Sequence, residues 1–203
     1  MATTLLFGRN GQLGWELQRS LGTIGPLVAY ARQDADLERP DELREAVRRH
    51  RPKFVVNAAA YTAVDKAEQD RSTALRVNHE AVAVLAEEAE RVGSWLVHFS
   101  SDYVFDGRKT AAYVETDETA PLNVYGLSKA LGEQAVRDVG SQHVIIRTSW
   151  LYAMHRTNFP LRILHQAVES DQLKVVADSI GTPTSASMPV SYTHLTLPTN
   201  REV

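Results

Sequence analysis

The sequence predicts an α/β fold, a doubly wound parallel sheet with helices on both faces. Two observations predict it. Short apolar runs of strand length alternate with longer stretches whose apolar residues recur every three to four positions. A glycine-rich turn also separates the first such run from the first such stretch. Parallel neighbours need crossover connections, which helices supply, so strand–helix alternation implies a parallel sheet.

Thr4–Phe7 reads as the first strand and Gln12–Leu21 as the first helix, with Leu27–Ala31 and Pro40–Arg49 as the second pair. Phe54–Asn57 is the third strand. Ser72–Val92 reads as one long helix, with Ala81, Val84, Leu85, Ala89 and Val92 as its apolar stripe. Trp95–Ser100, Val124–Val139 and Val144–Arg147 complete the alternation. Pro40 near a helix start and Gly93 after a helix end occupy positions those residues favour. After Trp150 the pattern changes: Asn158–Val168 reads as a helix, Leu173–Ala177 as a strand, and Gly-Thr-Pro-Thr at 181–184 as a turn. Residues 1–150 are expected to form one domain and residues 151–189 the beginning of a second region. The last residues, VSYTHLTLPTNREV, carry neither periodicity and look like a translated sequencing adapter. Residues 190–203 are therefore expected to be a non-native tail on a C-terminally truncated chain.

Composition narrows the function. With 203 residues and 43% hydrophobic content, the chain can bury a real core. A net charge of −3 argues against a nucleic-acid-binding surface, which needs a basic excess. The absence of cysteine excludes disulfides and thiolate metal sites. No apolar run approaches the ~20 residues that span a bilayer. The N-terminus MATTLLFGRN lacks the regions of a signal peptide, so a cytoplasmic protein without membrane partners is expected.

LLFGRNGQLGWEL places Gly8, Gly11 and Gly14 between the first strand and the first helix, the context of a dinucleotide-binding turn. Glycines permit the tight turn and close backbone approach, and the helix N-terminus offers N–H groups and partial positive charge to a pyrophosphate. The fold expected is thus of Rossmann type. The residue after the second strand reports on the adenosine ribose. Arg32 stands there, ahead of Asp34 and Asp36, which favours NADPH and leaves NADH open.

Three further segments converge on the same edge. Phe54–Ala60 ends in Ala58, Ala59 and Ala60, small enough for a flat cofactor to lie across. Trp95–Tyr103 delivers Ser100, Ser101 and Asp102 at a strand end, where hydroxyls can bond a substrate oxygen. Tyr125-Gly-Leu-Ser-Lys129 puts a phenol and an amine on one helical face. A lysine ammonium ~4 Å from the phenol would favour the phenolate by about 4 kcal/mol at an effective dielectric of ~20. That is roughly three pKa units, enough to bring tyrosine near working pH. Ser101, Tyr125 and Lys129 around a nicotinamide point to a metal-free carbonyl reductase or alcohol dehydrogenase.

The glycine turn, Asn-Ala-Ala-Ala, strand-end serine and Tyr-x-x-x-Lys together resemble the extended short-chain dehydrogenase/reductase superfamily. The longer strings LLFGRNGQLGWELQ, NAAAYTAVDKAE, SSDYVFDG, ETDETAPLNVYGLSK, RTSWLYA and GTPT resemble its dTDP-4-dehydrorhamnose reductase family, over about Thr4 to Ser187. The resemblance implies an NAD(P)-binding domain in residues 1–150 and a substrate-binding region beginning at 151. It implies that Gly11, Gln12 and Leu13 contact the cofactor pyrophosphate, that Asp36 and Leu37 lie against adenine, and that Ala60, Tyr61 and Thr62 line the cofactor groove. Ser101 and Asp102 are implied to contact the sugar, with Ser101 on the reacting oxygen. Tyr125 is the implied proton donor, Lys129 its partner and Trp150 a wall of the sugar pocket. Family members often carry Thr at the Ser101 position, and Phe159-Pro160 replaces a segment usually free of proline. Magnesium is associated with some members, and no metal ligand is assigned here.

The implied reaction is reduction of C4 of dTDP-4-dehydro-6-deoxy-L-mannose to dTDP-L-rhamnose, a cell-surface polysaccharide precursor, in a protein that forms a homodimer at full length. The same catalytic trio serves other nucleotide-sugar 4-reductases and epimerases, and some relatives act as NADP-binding regulatory subunits. The truncated chain itself is expected to be inactive.

Overall fold

The computed structural model describes residues 3–140 and 142–189. Its centre is a five-stranded parallel sheet in the order β2-β1-β3-β4-β5. The strands are β1 (Thr4–Phe7), β2 (Leu27–Tyr30), β3 (Phe54–Asn57), β4 (Trp95–Ser101) and β5 (His143–Thr148). β1 pairs Thr4 with Leu27 on one side and with Phe54 on the other, so every strand delivers its carboxyl end to the same edge.

Alternation along β1 explains the two layers. Leu5 and Phe7 face one side and Leu6 the other. Leu6 meets Leu13, Leu17 and Leu21 of α1 (Gln12–Leu21), spaced four apart as a helix facing a sheet requires. Leu5 and Phe7 meet α2 (Pro40–His50) through Leu43 and Val47, and α5 (Ala81–Val92) through Val82 and Leu85. Val136 of α6 (Val124–Val139) joins this second cluster. The doubly wound α/β architecture expected from the sequence is therefore the one observed, with element ends moved by a residue or so.

Two expectations are corrected. The helix read as Ser72–Val92 begins at α4 (Arg71–Leu75), widens into a π-helical turn at Arg76–Glu80, and then resumes as α5. A further short helix, α3 (Val64–Ala67), precedes it. The wide turn has a cause at Asn78. Its buried amide accepts from Tyr61 N at 2.9 Å and donates to Tyr61 O and Ser128 Oγ, both at 3.0 Å. Leu173–Ala177 forms no strand: the segment is exposed and has no neighbouring strand among the described residues, so its β-propensity finds no ladder. Residues 151–189 instead hold β6 (Leu151–Tyr152), paired in parallel with β7 (Thr184–Ser185), and α7 (Phe159–Glu169). Pro160 sits in the first turn of α7, where it costs no helix bond, and Asn158 caps that turn through Leu161 N. The sequence-read tail at 190–203 lies outside the described residues. No described helix is long and apolar enough to cross a membrane.

α6 is fastened to the sheet by charge as well as packing. Glu133 is fully buried and accepts two bonds from Arg147 of β5 (2.8 and 2.6 Å) and one from Arg137 (2.8 Å). Burial pushes its carboxyl up, but hydrogen bonds led by Arg147 outweigh that and hold it below the usual carboxylate range. Removing one partner of such a pair leaves a buried charge unanswered. Glu133→Gln is expected to cost about 3–5 kcal/mol at neutral pH. Because the native pKa is depressed, that contribution is present above the ordinary glutamate range and is lost as pH falls through the native value. Urea unfolding across acidic pH should show the gap between wild type and variant closing; a gap independent of pH would contradict the clamp.

The Cβ of an alanine at 132 would lie 2.2 Å from the Asn78 carbonyl oxygen. Gly132→Ala is therefore expected to destabilise by about 1–3 kcal/mol through overpacking, despite alanine's better helix propensity. A denaturation midpoint above wild type would show that α6 is not held this close.

Candidate active site

An open cleft of about 1170 Å³ runs across the carboxyl edge of the sheet. Its lining gathers Gly8, Gly11, Gln12 and Leu13 from the first turn, and Arg32, Asp36 and Leu37 from beyond β2. Ala58, Ala59, Ala60, Tyr61 and Thr62 follow β3, Ser101 and Asp102 close β4, and Tyr125 and Lys129 face in from α6, with Trp150 beyond β5. Gly14 stands apart from the other residues proposed from the sequence. It lies beneath the turn, where a Cβ would come within 2.0 Å of the Gly8 carbonyl oxygen. Its role is to let α1 approach β1.

The first turn is shaped for close backbone approach. Gly8 has φ +90°, and a Cβ there would meet Ala59 N at 2.7 Å. Gly11, the residue before α1, offers no side-chain cap, so the first N–H groups of the helix stand open to an anion. At the β2 end, Arg32 is exposed and paired with Asp36 at 3.0 Å and with Glu38. Burial pushes the Asp36 carboxyl up, and hydrogen bonds from Glu38 N and Arg32 outweigh it and hold it low. Arg9, unremarked in the sequence, braces this corner through the Ala29 carbonyl (3.0 Å) and Asp34 (3.2 Å).

Serine, tyrosine and lysine meet where β4 ends against α6. Ser101 Oγ donates to Asp102 Oδ1 at 2.9 Å and accepts from Tyr103 N at 3.2 Å. Burial raises the Asp102 carboxyl above its ordinary pKa. Asn123 caps α6 by accepting from Gly126 N at 2.7 Å, which sets the register that turns Tyr125 and Lys129 inward. The Tyr125 ring is buried, with the Tyr103 ring edge-on at 5.5 Å. Gly126 permits that contact: a Cβ there would lie 2.1 Å from the Tyr103 carbonyl oxygen.

The electrostatics differ from the sequence expectation. Burial raises the Tyr125 phenol above its ordinary pKa; Ser101 lowers it, while Asp102 and Tyr103 add to the rise. No ammonium offsets this, because Lys129 Nζ is turned to the Phe99 carbonyl oxygen at 2.6 Å and to His98 Nε2 at 3.4 Å. Lys129 is 1% exposed, and burial lowers it to about 8 against the pull of Glu133. Desolvation outweighs the pairwise attraction that the i, i+4 spacing implied.

Trp150 lines the cleft with its indole half exposed and its backbone left-handed at φ +44°. A Cβ on Gly181 would come within 2.4 Å of that indole, so glycine lets the ring lie flat against the chain. Arg156 and Thr157 also line the cleft and carry no sequence signal that marks them. Asn57 and His98, which lie behind Lys129, were legible only as polar residues inside apolar strands.

The model of the RmlD substrate binding domain matches residues 2–201. Among curated proteins, the dTDP-4-dehydrorhamnose reductase of Burkholderia thailandensis is 52% identical over 182 residues, covering 90% of this chain and 61% of its own length. That of Escherichia coli K12 is 45% identical over 188 residues, covering 91% and 63%. This chain thus spans a little over three fifths of these relatives. A crystal structure of the Bacillus anthracis dTDP-4-dehydrorhamnose reductase in complex with NADP superposes with a TM-score of 0.92 at 34% identity, covering 96% of this chain and 69% of that one. Matched over almost its whole described length, the chain belongs to the RmlD substrate binding domain family, that of the dTDP-4-dehydrorhamnose reductases.

Proposed function

We propose that this chain carries the cofactor-binding and proton-transferring part of a cytoplasmic enzyme that reduces the C4 carbonyl of dTDP-4-dehydro-6-deoxy-L-mannose with NAD(P)H. The observation that carries this reading is the convergence of Ser101, Tyr125 and Lys129 at one end of a cleft whose other end is the capless start of α1. The cleft fits a dinucleotide. Gly8 lets the first turn pack directly on the Ala58–Ala59 backbone, where a Cβ would collide, and three alanines keep the β3 edge flat. The NADP bound by the Bacillus anthracis relative supports NADPH, with Arg32 toward the adenosine end.

In this reading Gly11, Gln12 and Leu13 hold the pyrophosphate, and Asp36 and Leu37 flank the adenine. When bound, the dihydronicotinamide supplies the hydride that adds to C4. The chain supplies position and the proton. Tyr125, its phenol kept protonated by burial, gives its proton to the C4 oxygen as the carbonyl becomes an alcohol. Ser101 donates to the same oxygen once a sugar hydroxyl takes its place on Asp102. Trp150 walls the sugar. Water has little access to the reacting end, because Tyr125, Lys129 and Ser101 are all buried.

The test joins residues 4–187 to the C-terminal part of the Burkholderia thailandensis relative and follows NADPH absorbance with dTDP-4-dehydrorhamnose. Tyr125→Phe is expected to lower turnover by about 10²–10⁴-fold while leaving NADPH binding unchanged. NADPH binding without sugar-dependent oxidation would overturn the reading and point to another nucleotide sugar or to a regulatory subunit.

A further inference from the structure

Residues 155–158 lie across the first turn of α1. The His155 ring stacks on Trp15 at 4.3 Å, and Asn158 Nδ2 donates to Gln12 Oε1 at 3.0 Å. Gln12 and Trp15, three apart, share one face of that helix. Asn158 is buried, and both ends of its amide are engaged. Its oxygen accepts from Leu161 N at 3.2 Å and so starts α7. Its nitrogen also donates to the Ala153 carbonyl at 2.6 Å and to the Arg156 carbonyl at 3.3 Å. Those bonds close a loop in which Arg156 is left-handed at φ +66°, an unfavourable backbone for a residue with a side chain. Capping and loop closure explain these contacts. Neither needs the bond to Gln12, 146 residues away in the chain.

The partners of Asn158 fix which way round the Gln12 amide lies. Oxygen and nitrogen of a primary amide are alike in shape, and only their partners distinguish them. Leu161 N–H can only donate, so the Asn158 atom it meets is the oxygen. The Ala153 and Arg156 carbonyls can only accept, so the atom they meet is the nitrogen. That nitrogen faces one terminal atom of Gln12, which must therefore be Oε1. Gln12 Nε2 is turned the other way, and among the described residues it meets no acceptor. Gln12 itself lines the cleft between Gly11 and Leu13.

We propose that Asn158 is a positioning residue for the dinucleotide: by holding Gln12 Oε1, it turns the Gln12 Nε2 hydrogens toward the pyrophosphate position at the start of α1. A free glutamine amide presents oxygen to an anion as readily as nitrogen, and the oxygen repels it. The bond to Asn158 removes the repelling orientation and orders the side chain before the ligand arrives. By linkage, a bound dinucleotide in turn strengthens the seat of residues 155–158 on α1. The inference rests on reading the cleft as a dinucleotide site. It deepens that reading by giving the second region a residue that acts there through Gln12.

Asn158→Ser separates the roles, because serine still caps α7 but carries no amide donor for Gln12. NADPH is titrated into the 203-residue chain, Asn158→Ser, Gln12→Ala and the double variant, followed by nicotinamide fluorescence. The Kd is expected to rise about three- to tenfold in Asn158→Ser. The double variant should bind no more weakly than Gln12→Ala alone, since Asn158 acts through Gln12. Losses that add, or an Asn158→Ser chain that binds as tightly as wild type, overturn the proposal. Hydrogen exchange of the side-chain amides, read from ¹H–¹⁵N spectra without cofactor, provides the second arm. The Gln12 signal, assigned by its loss in Gln12→Ala, is expected to exchange fast, and that of Asn158 slowly. A protected Gln12 amide overturns the proposal, and this measurement still decides if Asn158→Ser does not fold. A wild-type chain with the expected exchange pattern that binds no NADPH would sink the dinucleotide reading alone.

Discussion

Everything at the site depends on how closely α6 is seated against its neighbours. Gly126 leaves no room for a side chain beside the Tyr103 carbonyl, and Gly132 none beside the Asn78 carbonyl. Glu133 then fastens the same helix to β5 through Arg147. Tyr125 and Lys129 lie between these contacts, so the distance from α6 to β4 sets both where they stand and how dry they are. The close approach also explains the wide turn at Arg76–Glu80, which brings the Asn78 carbonyl onto α6 and its side-chain amide onto the Tyr61 backbone. One polar side chain thereby ties the loop after β3 to α6.

That dryness decides the proton chemistry. Burial moves the phenol up and the amine down, in both cases toward the neutral form. A pairwise Coulomb argument gives the opposite sign for tyrosine, since it assumes a solvated ammonium held beside the ring. In the structure the amine has turned to β4, where a carbonyl oxygen and an imidazole replace the water it lost. A phenol that keeps its proton suits a reaction whose protein-derived step is donation of a proton.

Much of the fold was legible because its central strands β1, β3 and β4 are buried on both faces and therefore read as largely apolar runs, as in Leu5–Leu6–Phe7 and Val55–Val56. The cleft residues were legible because small residues, hydroxyls and the tyrosine–lysine pair all fall at strand ends or helix starts. What could not be read was tertiary. The apolar stripe of α5 continues smoothly upstream, and only the approach of α6 opens the turn at Asn78. Leu173–Ala177 has strand-like residues, yet a strand needs a neighbour. His98 alternates with Val97 and Phe99 like any residue of a buried strand, and only the packing of Lys129 and Asn57 against it marks it as more than filler.

We propose that the carboxyl edge of the sheet is a preformed dinucleotide site, with Tyr125 and Lys129 at one end. The most direct measurement is titration of NADPH into the 203-residue chain, followed by nicotinamide fluorescence, beside Gly11→Val. A Cβ at Gly11 meets nothing nearer than the Gly8 carbonyl oxygen at 3.4 Å, so the variant should fold while its added methyl groups occupy the pyrophosphate position. Saturable one-to-one binding by the wild-type chain, abolished in the folded variant, is the expected result. Binding that survives Gly11→Val unchanged, or no binding by the wild-type chain, would contradict the account.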